Sequence, residues 1–104
     1  MNFGTGIELS DTDDGVLGGY YKNAAVWCQF TAEGKAIPSI MKYTESSGQM
    51  ITVEHIHVKQ CDKKFYTGIL VWKYRCEAMC GRTMKSFVLL FYPEECLWKF
   101  KMEQ

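Results

Sequence analysis

Turn residues cut this chain into short apolar stretches, and no stretch of ten or more residues carries a helical face. The cleanest stretch is 96–102, where Cys96, Trp98, Phe100 and Met102 alternate with Leu97, Lys99 and Lys101. Period-two alternation is the pattern of a strand with one buried and one solvated side. The longest apolar run, Phe87-Val88-Leu89-Leu90-Phe91-Tyr92, has six residues, far short of the ~20 that cross a bilayer as a helix. Six strand-like segments follow from the punctuation: 20–32, 36–43, 49–60, 65–75, 82–92 and 96–102. Between them lie Glu33-Gly34-Lys35, Ser46-Ser47-Gly48, Asp62-Lys63-Lys64, a connection at 77–81 with room for one helical turn, and Pro93-Glu94-Glu95.

Six strands joined by short turns predict an all-β, mainly antiparallel meander with little or no helix. With no helices to cover its apolar side, such a sheet closes into a small barrel or roll. Pro38 cannot donate to a ladder, so the second segment is expected at an edge or beside a bulge. The third segment slips phase: Ile51 and Val53 share one parity, Ile56 and Val58 the other. A bulge near Glu54-His55, or burial of both faces, reconciles them. The expected core is Trp27, Phe30, Val71, Trp72, Val88, Leu90, Trp98 and Phe100. At 104 residues the chain reads as one domain over 17–104. Residues 1–16 form an N-terminal arm, the first five of them poorly ordered.

Twelve basic and twelve acidic residues cancel, which argues against a histone-like binder and against an acidic tail protein. The balance is uneven along the chain. Residues 1–52 carry three basic and six acidic groups, and residues 53–104 carry nine and six. Most of these charges are expected on solvated strand faces. The N-terminus shows neither a basic region nor an apolar run of signal-peptide length, so a cytoplasmic protein with no membrane segment is expected. Five cysteines, an odd number, disfavour a disulfide framework in that setting. Cys28 and Cys96, inside apolar runs, read as small buried hydrophobes.

Candidate chemistry falls into three groups. First, His55-Ile56-His57 places two imidazoles on one side of a strand, where they suit a shared metal. The stretch 48–68 resembles the first motif of the cupin family: a glycine, six residues, His55-x-His57, then Cys61 or Asp62, then Gly68. The resemblance covers about a fifth of the chain and implies a metal at the histidines. No histidine follows His57 to stand for the family's second motif, and its glutamate ligand has no counterpart here. Second, Cys76 and Cys80, with three residues between them before Gly81, offer two further ligands. With His55, His57 and Cys61 they form the candidate set for a structural zinc or a metal-dependent enzyme. Cys80, near Arg82 and Lys85, is also a candidate reactive thiol. Third, Lys73 and Arg75 share one strand face, and Lys99 and Lys101 another. These four are the candidate contacts for single-stranded nucleic acid, beside Tyr66, Trp72 and Tyr74.

No nucleophile elbow or phosphate-binding glycine loop occurs. The paired carboxylates Asp13-Asp14 and Glu94-Glu95 sit in turn-like contexts. Catalytic residues are therefore assigned to none, and no cofactor is required beyond a possible zinc. The expectation is a non-enzymatic binding or protein-interaction module whose partner is a protein or a small molecule. The first segment carries one charge, Lys22, beside Tyr20, Tyr21, Val26, Trp27 and Phe30. Either the arm or a second subunit must cover it. Two-fold pairing is the commonest closed assembly, so a homodimer with Tyr20, Tyr21 and Trp27 near the contact is expected.

Overall fold

A computed structural model describes residues 14–15 and 17–103. Seven strands make up one antiparallel sheet: β1 (Lys22–Phe30), β2 (Ala36–Thr44), β3 (Met50–Val53), β4 (His57–Tyr66), β5 (Ile69–Cys80), β6 (Thr83–Tyr92) and β7 (Leu97–Glu103). Among the described residues there is no helix, hence none long and apolar enough to cross a membrane. The spatial order is β3-β2-β1-β7-β6-β5-β4. Two meanders, β1–β3 and β4–β7, meet where Lys22, Asn23 and Ala24 pair with Phe100, Lys99 and Trp98.

The alternating pair directions make β3 and β4 run the same way, although they form opposite margins of the sheet. Only residues 54–56 separate them, a link that spans no more than about 14 Å. The margins must therefore meet at the link, and the sheet is curled into a half-barrel. Ile56 N–H donates to the Ser39 carbonyl at 3.0 Å, which ties the link to β2. β3 and β4 thus act as one long strand that changes partner from β2 to β5. His55, at φ 55°, supplies the kink. This left-handed residue resets the parity, so Ile51, Val53, Ile56 and Val58 all pack on the inner core. The phase slip read in the sequence is this kink, and it makes seven strands of the expected six.

Three other junctions differ from expectation. Asp62, Lys63 and Lys64 lie within β4, not in a turn. The turn is Thr67-Gly68, both at positive φ (52° and 80°) between the paired Tyr66 and Ile69. Positive φ at both central residues matches the strand twist, which favours this two-residue turn. Charges are tolerated in β4 because it is a sheet margin, where lysines also discourage edge pairing. Residues 77–80 extend β5 and hold no helical turn. Gly81, at φ 67°, starts the turn between paired Cys80 and Thr83. Cys96 also lies outside its expected strand, at φ 52° in the turn before β7. Pro38 sits beside a bulge, since Trp27 pairs with Ile40 and Cys28 with Pro38, leaving Ser39 over.

The sheet buries apolar groups on both sides. The inner core includes Met41, Val53, Tyr74, Cys76, Phe87, Leu89, Phe91, Trp98 and Phe100. Its rings stack closely, with centroids at 4.3 Å for Tyr43–Phe100 and 4.7 Å for Phe91–Trp98. A second cluster, Val71, Val88 and Leu90, lies on the outer face under Leu17, Tyr21, Tyr66 and Tyr92. The segment before β1 forms a strap over that face. Asp14 N–H donates to the Phe65 carbonyl, and the Asp14 carboxylate accepts from Phe65 N–H at 2.8 Å. Gly15 accepts from Thr67 N–H at 2.9 Å. The part of the expected arm at 1–13 and at position 16 lies outside the described residues.

Candidate functional site

The expected metal set is parted by the fold. His55 is in the β3–β4 link, and the i, i+2 argument fails because its left-handed backbone takes it out of the strand. His57 opens β4 and pairs with Glu77 on the outer face. Cys61 and Cys76 are on the inner side. Cys76 and Cys80 are on one strand rather than in a loop, where four residues of rise separate them by about 13 Å. The cupin-like stretch is divided likewise: Gly48 lies before β3, His55 in the link and Gly68 in the β4–β5 turn. Among the described residues no three His, Cys, Asp or Glu side chains group closely enough to hold a metal ion.

The inner thiols surround Tyr74, whose hydroxyl donates to the Ala36 carbonyl on β2. Burial raises the Tyr74 phenol above its usual range, with Cys61 adding to the effect. Burial likewise pushes the Cys76 thiol up to about 12, and raises Cys61 and Cys28. These thiols stay protonated at neutral pH, the poorly nucleophilic form. All five cysteines are free.

Lys73, Arg75, Lys99 and Lys101 share the outer face but not neighbouring strands. β6 lies between them, and the register sets Lys73–Leu90–Lys99 and Arg75–Val88–Lys101 as two rows. The apolar centre of both rows is where Leu17 and Tyr21 pack. Lys101 sits 5.7 Å from the Tyr21 ring, Lys99 5.5 Å from the Tyr92 ring, and Arg75 reaches Glu103 at 3.7 Å, so three of the four already have partners in the chain. The expected aromatic companions are also split: Tyr66 belongs to β4 and the outer cluster, while Trp72 and Tyr74 pack with the inner core.

The self-association residues separate as well. Tyr21 is committed to the strap cluster, whereas Tyr20 is 78% exposed. Trp27 and Phe30 were expected in the core and are instead 50% and 59% exposed. Parity explains Trp27: Ala24, Val26 and Cys28 take the inner side of β1, which leaves Trp27 outside, opposite Ile40. Lys42 lies 5.3 Å from its ring. Phe30 ends the strand and meets the Phe91 ring edge-on, with centroids 6.2 Å apart. Ile37, also exposed, extends the outer apolar surface of β2.

Two concavities accompany these surfaces. One mouth of the half-barrel holds about 670 Å³ among Tyr43, Ile51, Cys80, Met84 and Met102. An outer cleft of about 560 Å³ lies beside the β3–β4 link, lined by His55, His57, Glu77, Met79 and Met84. Sequence reasoning missed Met79 and Met84. The signal was available in a Cys-Gly-Arg-Thr turn that sets them opposite each other, but a loop was expected there. Comparison with family models, with curated proteins and with solved structures finds no match for this chain.

Proposed function

We propose that this chain is a non-enzymatic interaction module that self-associates through the outer face of β1 and β2. The observation that carries the reading is Trp27, half exposed on a sheet face with Ile40 opposite it and Ile37 nearby. Tryptophan is among the residues enriched as interface anchors, and Lys42 and Gln29 supply a polar rim. A second copy is the occupant, because an isologous contact needs only this one patch. Tyr21 is occupied within its own chain, which leaves Trp27 and Tyr20 of the three expected contact aromatics. Catalysis finds less support, since the clustered thiols are held protonated and, among the described residues, no charged side chain is buried. Five free thiols suit the reducing cytoplasm.

Sedimentation across the micromolar range tests the reading. The expected result is a dimer that Trp27→Glu converts to a 12.0 kDa species. A monomer at every concentration in the unaltered chain overturns self-association. A second reading, a small-molecule binder, rests on the mouth lined by Tyr43, Ile51 and Met102, a volume within the usual range of ligand pockets. Single-stranded nucleic acid is the weakest reading, because the strap fills the space between its four candidate cations.

A further inference from the structure

We propose that the outer cleft beside the β3–β4 link binds a soft monovalent metal ion of the copper(I) class, through His57, Met79 and Met84, with His55 closing the set. The site is independent of the β1–β2 face. The register builds it. His57 pairs with Glu77, and Met79 follows two residues along β5 on the same face. Met84 on β6 is directly opposite Met79. Diagonal neighbours on one sheet face lie within reach of long side chains, so three adjacent strands deliver one imidazole and two thioethers to one place. His55 lines the same cleft.

The donor chemistry selects the ion. Zinc and calcium need nitrogen, thiolate or oxygen sets of a kind that does not assemble among the described residues. Thioether sulfur favours copper(I), and imidazole suits copper equally. Met79 and Met84 are 54% and 53% exposed, an unusual state for two long apolar side chains held side by side. Their unbranched chains can turn inward around an ion without any change in the backbone. Glu77, in ion-pair contact with Lys59 at 3.6 Å, places a carboxylate beside the bound charge. Cys80 also borders the cleft, but its side chain packs against the inner core, on the opposite face of β5 from Met79.

The test uses the full chain carrying Cys80→Ser and Cys96→Ser, which removes the thiol bordering the cleft and the exposed one. Copper(I) is titrated without oxygen against a chromophoric chelator, and silver(I) is titrated while the methionine methyl resonances are followed. About one equivalent of metal is expected, with the Met79 and Met84 methyls shifting and that of buried Met41 unmoved. Met79→Leu with Met84→Leu keeps side-chain volume, and near-UV circular dichroism confirms the fold. Even indirect ligand contacts are worth about tenfold or more in metal affinity, so the double variant should lose at least that. Unshifted Met79 and Met84 methyls, or an unchanged affinity in the folded double variant, overturn the proposal.

Discussion

Leu89 and Leu90 are adjacent in sequence and lie in different cores. Leu89 faces Tyr74 and Phe100 on the inner side, and Leu90 faces Leu17 and Tyr21 under the strap. Both are fully buried. Truncation of either to alanine is expected to cost about 2–5 kcal/mol in urea unfolding. Only the Leu90→Ala cost should shrink in a Leu17→Ala background, because only those two share a cluster. Equal costs in both backgrounds would show that the strap adds nothing to that core. Trp27→Ala, by contrast, should change monomer stability by less than about 1 kcal/mol. The buried thiol makes a pH prediction. The Cys76 pKa rises from 9.0 to about 12 on folding. Between those values the unfolded chain has released the proton that the folded chain retains, so stability falls as pH rises through that interval. Below pH 9 the contribution is flat. Urea midpoints from pH 8 to 11 should decline, and less steeply in Cys76→Ala. Tyr74, raised in the same direction, keeps part of the slope in that variant.

At the scale of elements, the turns and the link carry the backbone strain. Gly68 at φ 80° has open space where a Cβ would go, so only conformation opposes a side chain there. Gly68→Ala should cost about 1 kcal/mol. His55 holds φ 55° without the freedom of glycine. His55→Gly should relieve about 1 kcal/mol of left-handed strain, partly offset by the greater unfolded-state freedom of glycine, and should weaken copper(I) uptake at the same time. Thermal melts and the metal titration read the two effects on one variant. Legibility differed between elements for a physical reason. β6 and β7 could be read almost to the residue, because one or both of their faces are buried and the apolar pattern records it. β4 could not, because a sheet margin accepts Asp62, Lys63 and Lys64 without penalty, and charge then looks like a turn.

At the scale of the whole molecule, the seam between the two meanders is short. β1 and β7 share three paired residues, whereas β5 and β6 share nine. Sub-global opening should therefore release β1–β3 before β4–β7. Native-state hydrogen exchange should find the slowest amides at Val88 and Leu89 and faster ones at Val26 and Met41. Uniform protection across the two sets would contradict this. The distant pairing of β1 with β7 also raises the contact order, which predicts folding in milliseconds to seconds rather than microseconds.

The sequence by itself determined that this chain is a mainly antiparallel sheet with little or no helix, that 82–92 and 96–102 are strands, and that the apolar phase slips near His55. Those properties follow from local alternation, turn chemistry and the absence of a helical period, which one stretch of chain expresses without reference to any other. Tertiary structure alone decided which apolar side chains are buried. Trp27 and Leu90 look alike as entries in an apolar run, yet one is open and the other sealed by Leu17 from far along the chain. It also decided the candidate site, by taking His55 out of the strand that His57 opens and bringing both, with Met79 and Met84, to the same cleft. Register and curl are long-range properties, fixed by where two margins of one sheet meet, and no window of sequence contains both margins.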